Sequence, residues 1–252
     1  MLKTSHLSVS YGKKTVLRDA SICLEKGKVV SLIGVNGCGK STLLKTIVGI
    51  IKPNCGDIVL NDASALTMNQ QMLAKHISYL PQGRTVPDMT VYQMVLHGRF
   101  PHLCYPRRYT VRDREIAREM MQRVGIEDLA QHPLSELSGG MRQSVYIAMA
   151  MAQQSEFVLL DEPTTYLDVS HRMDLMKMLR MLADEGRGVL CVMHDLPLAF
   201  DFSDEIVLLH EGRVVLQGAP CEVYHSPLIR EIFGVILKRD EGTGEYFCHF
   251  KE

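Results

Sequence analysis

The chain reads as an α/β fold on three observations. Short β-branched runs alternate with stretches of helical periodicity, the pattern of a sheet whose strands are joined by helices. One of these runs leads straight into a glycine-rich turn and then a helix. A middle block, residues 88–153, drops the strand pattern for an almost purely helical one.

In chain order, KVVSLIGV (28–35) is β-branched, follows Gly27 and precedes the glycine-rich turn, so it predicts a buried strand. KSTLLKTIVGI then predicts a helix and GDIVLND a strand. HISYLPQ (76–82) is a further short strand, ended by Pro81, which removes a ladder donor. Helix is expected from Thr90 to about Gln153. In TVRDREIAREMMQRVG the apolar residues Val111, Ile116, Met120 and Val124 mark one face, and the arginines read as a solvated one. EFVLLDEP, GVLCVMHD and DEIVLLHEGRVVLQG bring strands back. The result is one α/β core interrupted by a helical insertion, without internal repeats or low-complexity linkers.

Composition narrows the class. The 252 residues allow one large core, or a core with a small subdomain. Basic and acidic residues nearly balance (28 against 29, net charge −1), so no nucleic-acid footprint is expected. The longest apolar runs, such as VVSLIGV, fall far short of the ~20 residues that span a bilayer. MLKTSHLSVSYGKK has no apolar segment of signal-peptide type, so none is expected. Seven cysteines without a C-x-x-C pair read as reduced thiols of a cytosolic protein.

Three stretches carry chemistry. GVNGCGKST (34–42) fits G-x-x-x-x-G-K-[ST] between a predicted strand and a predicted helix. There backbone amides turn inward around phosphate, and the helix N-terminus adds positive charge. Lys40 would reach the β- and γ-phosphates, and the Ser41 hydroxyl would ligate magnesium. In FVLLDEP, Asp161 sits where a buried strand emerges and can hold magnesium through its water shell. Glu162 follows and can take the proton from an attacking water. In LSGGMRQSVYIAMAMAQ, Ser138, Gly139 and Gly140 cap a helix whose start is either an ordinary cap or a second phosphate nest. One nucleotide needs only one phosphate loop, so a second nest would require a reason.

GVNGCGKST, LSGG, LLDEP, TYLD and MHD occur in the order found in ATP-binding-cassette ATPases, which the chain resembles over about residues 2–235. The resemblance implies a P-loop NTPase core, a mixed sheet with helices on both sides. An antiparallel β subdomain and a helical signature-motif subdomain complete it. Residues 1–252 would be a single domain: 1–87 and 154–235 the core, 88–153 the helical subdomain, 236–252 a tail. It implies ATP and Mg2+ as cofactors, and a second copy that docks head to tail so that each signature helix caps the other copy's ATP. That would account for the second nest.

By the same resemblance, Tyr11 stacks on adenine. Gly34, Asn36, Gly37, Cys38, Gly39, Lys40, Ser41 and Thr42 wrap the phosphates. Gln82 touches magnesium or the attacking water, and Asp168 links the two sites across the dimer. His194 contacts the γ-phosphate and helps hold Glu162. Glu162, His194, Gln82 and Lys40 would be the catalytic set, and Ser41, Gln82 and Asp161 the magnesium set. Cys38 stands where serine or alanine is commoner, and a thiol beside phosphates would be open to oxidation. Met141, Ser144, Gly83 and Tyr166 also depart from the usual pattern. His171, His210 and His225 read as surface or core residues.

The insertion would meet a transmembrane partner, and VLHGRFPHLCYPRR (95–108) lies inside it. TVYQMVLHGRFPH, DEPTTYLD, HDLPLAFDFSDEIVLLHEGRVVLQGAP and FGVILKRDEGTGEYF resemble the ATPases of iron-siderophore, haem and cobalamin importers. Pro101 and Pro106 predict a helix-free loop, with His97, Arg99, Phe100 and Tyr105 as contact groups. The expectation is an importer's ATP-hydrolysing subunit, peripheral on the cytoplasmic face of the plasma membrane. It would work with integral-membrane permease subunits and, indirectly, an extracytoplasmic binding protein. The alternatives are an importer for zinc, manganese or an amino acid, and a soluble cassette protein outside transport. A single cassette and the absence of sustained heptads disfavour the last.

Overall fold

The computed structural model describes residues 1–83, 86–165 and 167–250; Tyr166 lies outside the described residues. The chain opens with β1 (Leu2–Tyr11), β2 (Lys14–Ala20) and β3 (Cys23–Leu24), the latter two antiparallel to β1. Then come β4 (Val29–Ile33), α1 (Lys40–Ile47), β5 (Cys55–Leu60), β6 (Ala63–Ser64), α2 (Gln70–His76) and β7 (Ile77–Leu80). The helical block holds α3 (Val91–His97), α4 (Val111–Val124) and α5 (Gly139–Ala152). β8 (Phe157–Asp161), α6 (Val169–Asp184), β9 (Gly188–Val192), α7 (Leu196–Phe202), β10 (Glu205–His210) and β11 (Arg213–Gly218) follow. The chain closes with α8 (Pro220–Tyr224), α9 (Leu228–Phe233) and the hairpin β12 (Val235–Arg239)–β13 (Tyr246–Phe250).

The central sheet runs β11-β10-β4-β9-β8-β7, parallel except for β11. β4, β8 and β9 are buried at every position, which is why their sequences read as unbroken apolar runs. Strand alternation sorts their side chains into two cores. Val158 and Leu160 join the core formed with the helical block, α6 and α7. Phe157 and Leu159 join the core shared with α1 and the antiparallel sheet β2-β1-β5-β6.

The helical block is less continuous than its sequence predicts. Residues 98–110 and 125–138 leave the α conformation, with short 3-10 turns at Phe100–His102, Glu127–Leu129 and Leu134–Glu136. Capping boxes at Thr90 and Thr110 start α3 and α4, and Gly125 closes α4 in the left-handed region that a glycine adopts without steric cost. The buried stripe of α4 is Asp113, Ile116, Ala117, Met120 and Met121. Val111, expected on that face, is 74% exposed because the first helical residue falls off the stripe.

Arg99 also departs from expectation. It is 7% exposed and therefore not a surface contact group. Its Nε donates to Asp113 Oδ1 at 3.0 Å, and its Nη1 donates to the Ala152 carbonyl at 2.8 Å and Gln154 Oε1 at 3.0 Å. The guanidinium thus ties the loop to α4 and to the open carbonyl end of α5. His102 Nε2 bonds the Gln153 carbonyl at 2.8 Å beside it. What the loop leaves outside is Phe100, with Arg107 stacked 4.7 Å from its ring centroid, and Tyr105 at 97% exposure.

The closing hairpin packs on the core. The Tyr246 amide donates to Asp201 Oδ1 at 3.0 Å, and its ring lies 5.2 Å from Phe200 and 5.4 Å from Tyr224. Among the described residues no helix is long and apolar enough to cross a membrane.

Candidate nucleotide site

The loop from Gly34 to Gly39 leaves the carboxyl end of β4, where parallel strands of such sheets open a ligand crevice. α1 starts directly behind it with no acidic residue in its first turn, so the positive end of the helix is unopposed. Lys40 is buried and folds back, its Nζ donating to the Gly34 carbonyl at 2.7 Å and the Val35 carbonyl at 3.2 Å. The loop is also braced from behind. The Gly212 amide, in the β10–β11 turn, donates to the Cys38 carbonyl at 3.1 Å, and the Arg18 amide of β2 donates to the Gly212 carbonyl at 2.8 Å.

The Cys38 thiol points inward: it is 5% exposed. Burial pushes its pKa up, against the pull of the nearby Lys40 charge. A buried neutral thiol is a poor nucleophile, so the structure removes the oxidation expected at this position.

Two carboxylates meet the loop from the end of β8. Asp161 is buried and accepts from Ser41 Oγ at 3.0 Å and from Tyr79 Oη at 3.2 Å. Burial raises its pKa and the adjacent Glu162 charge adds to this, while the two hydroxyl donors oppose it. Glu162 has a φ of 52°, a conformation costly for a residue with a Cβ and one often stored at working sites. Its carboxylate is gripped from both sides. Gln82 Nε2 donates to Oε2 at 2.5 Å, and His194 Nε2 lies 2.5 Å from Oε1. Thr165 Oγ1 adds a longer contact to Oε2 at 3.4 Å.

These groups surround a cleft of about 560 Å³, lined by Asn36, Gly37, Gly39, Lys40, Ser41, Thr42, Gln82, Glu162 and His194, together with Val16 and Thr165. Asp161 lies immediately behind, through Ser41. Val16 and Tyr79 belong to no motif and arrive from neighbouring strands, whereas Thr165 stands three residues after Glu162 in DEPTTYLD. Tyr11 is exposed at the end of β1 and does not line the cleft. Neither do Gly34 and Cys38, whose part is the loop's own backbone.

The signature stretch sits elsewhere within the chain. Ser138 caps α5 by accepting from the Met141 amide at 3.3 Å. Gly139 lines a cavity of about 320 Å³ beside Gln82 and Glu162, and Gly140 another of about 480 Å³ beside His171. Asp168 caps α6, accepting from the His171 amide at 2.9 Å, His171 Nδ1 at 2.7 Å and Ser170 Oγ at 3.0 Å. These donors, the His171 amide first, hold its carboxyl down at about 2.

The cleft suits a nucleotide, with loop amides, a helix start and a buried ammonium converging on one place. Ser41 and Asp161 set a hydroxyl and a carboxylate side by side, the hard oxygen donors magnesium takes.

Comparison with known proteins agrees. Residues 17–165 match the family model described as ABC transporter. The iron(3+)-hydroxamate import ATP-binding protein FhuC of Bacillus subtilis is 39% identical over 93% of this chain and 88% of its own. The ferric enterobactin transport ATP-binding protein FepC of Escherichia coli is 39% identical over 93% and 87%. The petrobactin import ATP-binding protein FpuD of Bacillus anthracis is 37% identical over 92% and 86%. A chain of a metal-chelate type ABC transporter, solved in an inward-facing conformation, superposes with a TM-score of 0.85 at 26% identity, covering 99% of this chain and 96% of that one. With the P-loop fold, the assembled cleft and these matches together, the chain belongs to the ABC transporter family and is an ATP-binding ATPase subunit coupled to transport.

Proposed function

We propose that this chain powers the import of a ferric siderophore through a membrane permease, as two copies that close head to tail over two molecules of ATP. The observation that carries the cargo class is that FhuC, FpuD and FepC, named for hydroxamate, petrobactin and enterobactin transport, align along nearly the whole chain. Haem and cobalamin, the other chelates the sequence suggests, lack that support among these three.

Each step draws on the groups that line or adjoin the cleft and, from the second copy, on its signature stretch. On nucleotide binding, Lys40 exchanges the Gly34 and Val35 carbonyls for phosphate oxygens. Ser41 and Asp161, with Gln82 close by, would hold magnesium, which supplies charge neutralisation on the phosphates. Glu162 takes a proton from the attacking water, and His194 and Gln82 keep its carboxylate aimed. Ser138, Gly139 and Gly140 of the second copy close over the phosphates, and Asp168 crosses between the two sites. Phe100, Tyr105 and Arg107, on the outer face of the helical block, form the contact with the permease on the cytoplasmic side of the membrane.

The test is to recover tagged Glu162→Gln chain from detergent-solubilised membranes with ATP present and identify what accompanies it. A polytopic permease encoded beside a ferric-siderophore binding protein is the expected companion. A permease for another cargo would overturn the cargo class, and ribosomal or repair partners would overturn the importer reading.

A further inference from the structure

His171, three residues into α6, belongs to none of the sequence motifs, yet it stands between two of them. One edge of its ring is fixed by α6's own cap: Nδ1 lies 2.7 Å from Asp168 Oδ1, the oxygen that also accepts the His171 amide at 2.9 Å. The opposite edge is pressed on the start of α5. A Cβ added to Gly140 would lie 2.5 Å from His171 Cδ2 and 2.8 Å from Cγ and Nε2. No side chain fits between them, so the ring rests on the bare backbone of the signature stretch.

The imidazole is suited to this place. Its Nδ1 is near enough to its own backbone to reach back to a cap three residues earlier, while the flat Cδ2–Nε2 edge faces outward. Turning the ring away from Asp168 gives up the cap contact, and α5 has no room to advance past it, since the space where a Gly140 Cβ would stand is already filled by the imidazole. We infer that His171 is a positioning residue that fastens the start of α6 to the start of α5 within one subunit. Asp168 and the Ser138–Gly140 stretch then meet the second copy's nucleotide as a single rigid unit. This rests on the head-to-tail reading above, and it adds a residue that acts through others and touches no nucleotide itself.

The role separates from fold maintenance by splitting the two contacts. His171→Asn keeps a donor where Nδ1 stands and removes the ring from Gly140; His171→Phe keeps the ring and removes the donor. Both are made in the full chain carrying Glu162→Gln. ATP-driven dimerisation is then followed by sedimentation, and binding of a fluorescent ATP analogue is measured on dilute monomer. Each variant is expected to raise the concentration for half-dimerisation about tenfold while monomer nucleotide affinity stays within about twofold, a coupling of ordinary size. The melting temperature is expected to stay that of the parent. A variant that dimerises like the parent overturns the inference and leaves the head-to-tail reading intact. Monomer affinity or melting falling in step with dimerisation makes His171 a plain structural strut, which also overturns it. If the Glu162→Gln parent itself fails to dimerise with ATP, the head-to-tail reading falls and takes the inference with it.

Discussion

At the scale of single residues, Glu162 concentrates the features the proposed general base requires: a positive φ, two close partners and a position at the emergence of β8. Glu162→Gln is expected to leave ATP binding near the parent level and to lower turnover by about 10²–10⁴-fold, the usual worth of a positioned general base. Steady-state hydrolysis beside equilibrium binding checks both halves. Cys38 should resist thiol reagents until the chain unfolds, whereas the exposed Cys55, Cys104 and Cys221 react at once; mass spectrometry after a timed pulse reads the difference. Glu156 accepts from Asn61 and pairs with Lys26 and His76. Burial alone would raise its pKa, but those partners outweigh burial and hold it at about 2. A depressed carboxylate pKa adds stability that is complete above the ordinary glutamate range and fades as pH falls toward 2. Glu156→Gln should therefore flatten the acid limb of stability between about pH 5 and 2, measured by urea unfolding across that range. Lys40, Ser41, Asp161 and Glu162 were legible in the sequence because a phosphate loop and a strand end fix spacing along the chain. Val16 and Tyr79 were not, since they reach the site or its carboxylates across strands, which leaves no local pattern; Thr165 lay in the quoted DEPTTYLD, but its contact with the Glu162 carboxylate had no sequence signal. His171 was hidden for the same reason: its partner Gly140 lies in another helix.

At the scale of elements, the buried Arg99–Asp113 pair joins the loop after α3 to the start of α4 and the end of α5. The Thr110 cap and the guanidinium hold the Asp113 pKa below its usual value despite burial, which acts to raise it. Arg99→Met leaves that carboxylate buried without its cation and is expected to cost about 3–5 kcal/mol in a denaturant titration. The paired change Arg99→Met with Asp113→Leu should recover only the part owed to the unpaired buried charge, since it also takes away the acceptor of the Thr110 amide and hydroxyl. A residue-type reading puts this arginine on the surface, because composition along a chain cannot distinguish an exposed cation from one closing a buried pair. The strands of the central sheet were the easiest elements to read, since burial on both faces leaves unbroken apolar runs. In the antiparallel sheet only β5 was read, through GDIVLND; β1, β2 and β3 gave no such signal. β1 carries register irregularities between Leu7 and Ser10, and its alternation is interrupted where a pattern would have to be counted. The breaks inside the helical block were partly legible at Pro101 and Pro106, but residues 125–138 hold only short turns whose apolar members imitate helical spacing.

At the scale of the whole molecule, the nucleotide cleft draws on both cores, with α1 and Val16 on one side and Gln82, Glu162 and His194 at the ends of the central strands. A ligand that ties such parts together stabilises the fold by mass action. ATP at one hundred times its dissociation constant should add about 2.7 kcal/mol. For a chain of this size that is roughly 5–10 °C in melting temperature. Lys40→Ala should abolish most of the shift, and a thermal scan with and without nucleotide decides it.

The turn between β10 and β11 holds the phosphate loop from behind, through Gly212 to Cys38 on one side and to Arg18 on the other. In genetic terms, the locus of nucleotide binding is therefore wider than its motif. A screen for alleles that lose ATP would return lesions at residues 211–213 beside those in the loop. Sorted by phenotype alone, they would be filed as binding-site mutants although they lie outside the cleft lining.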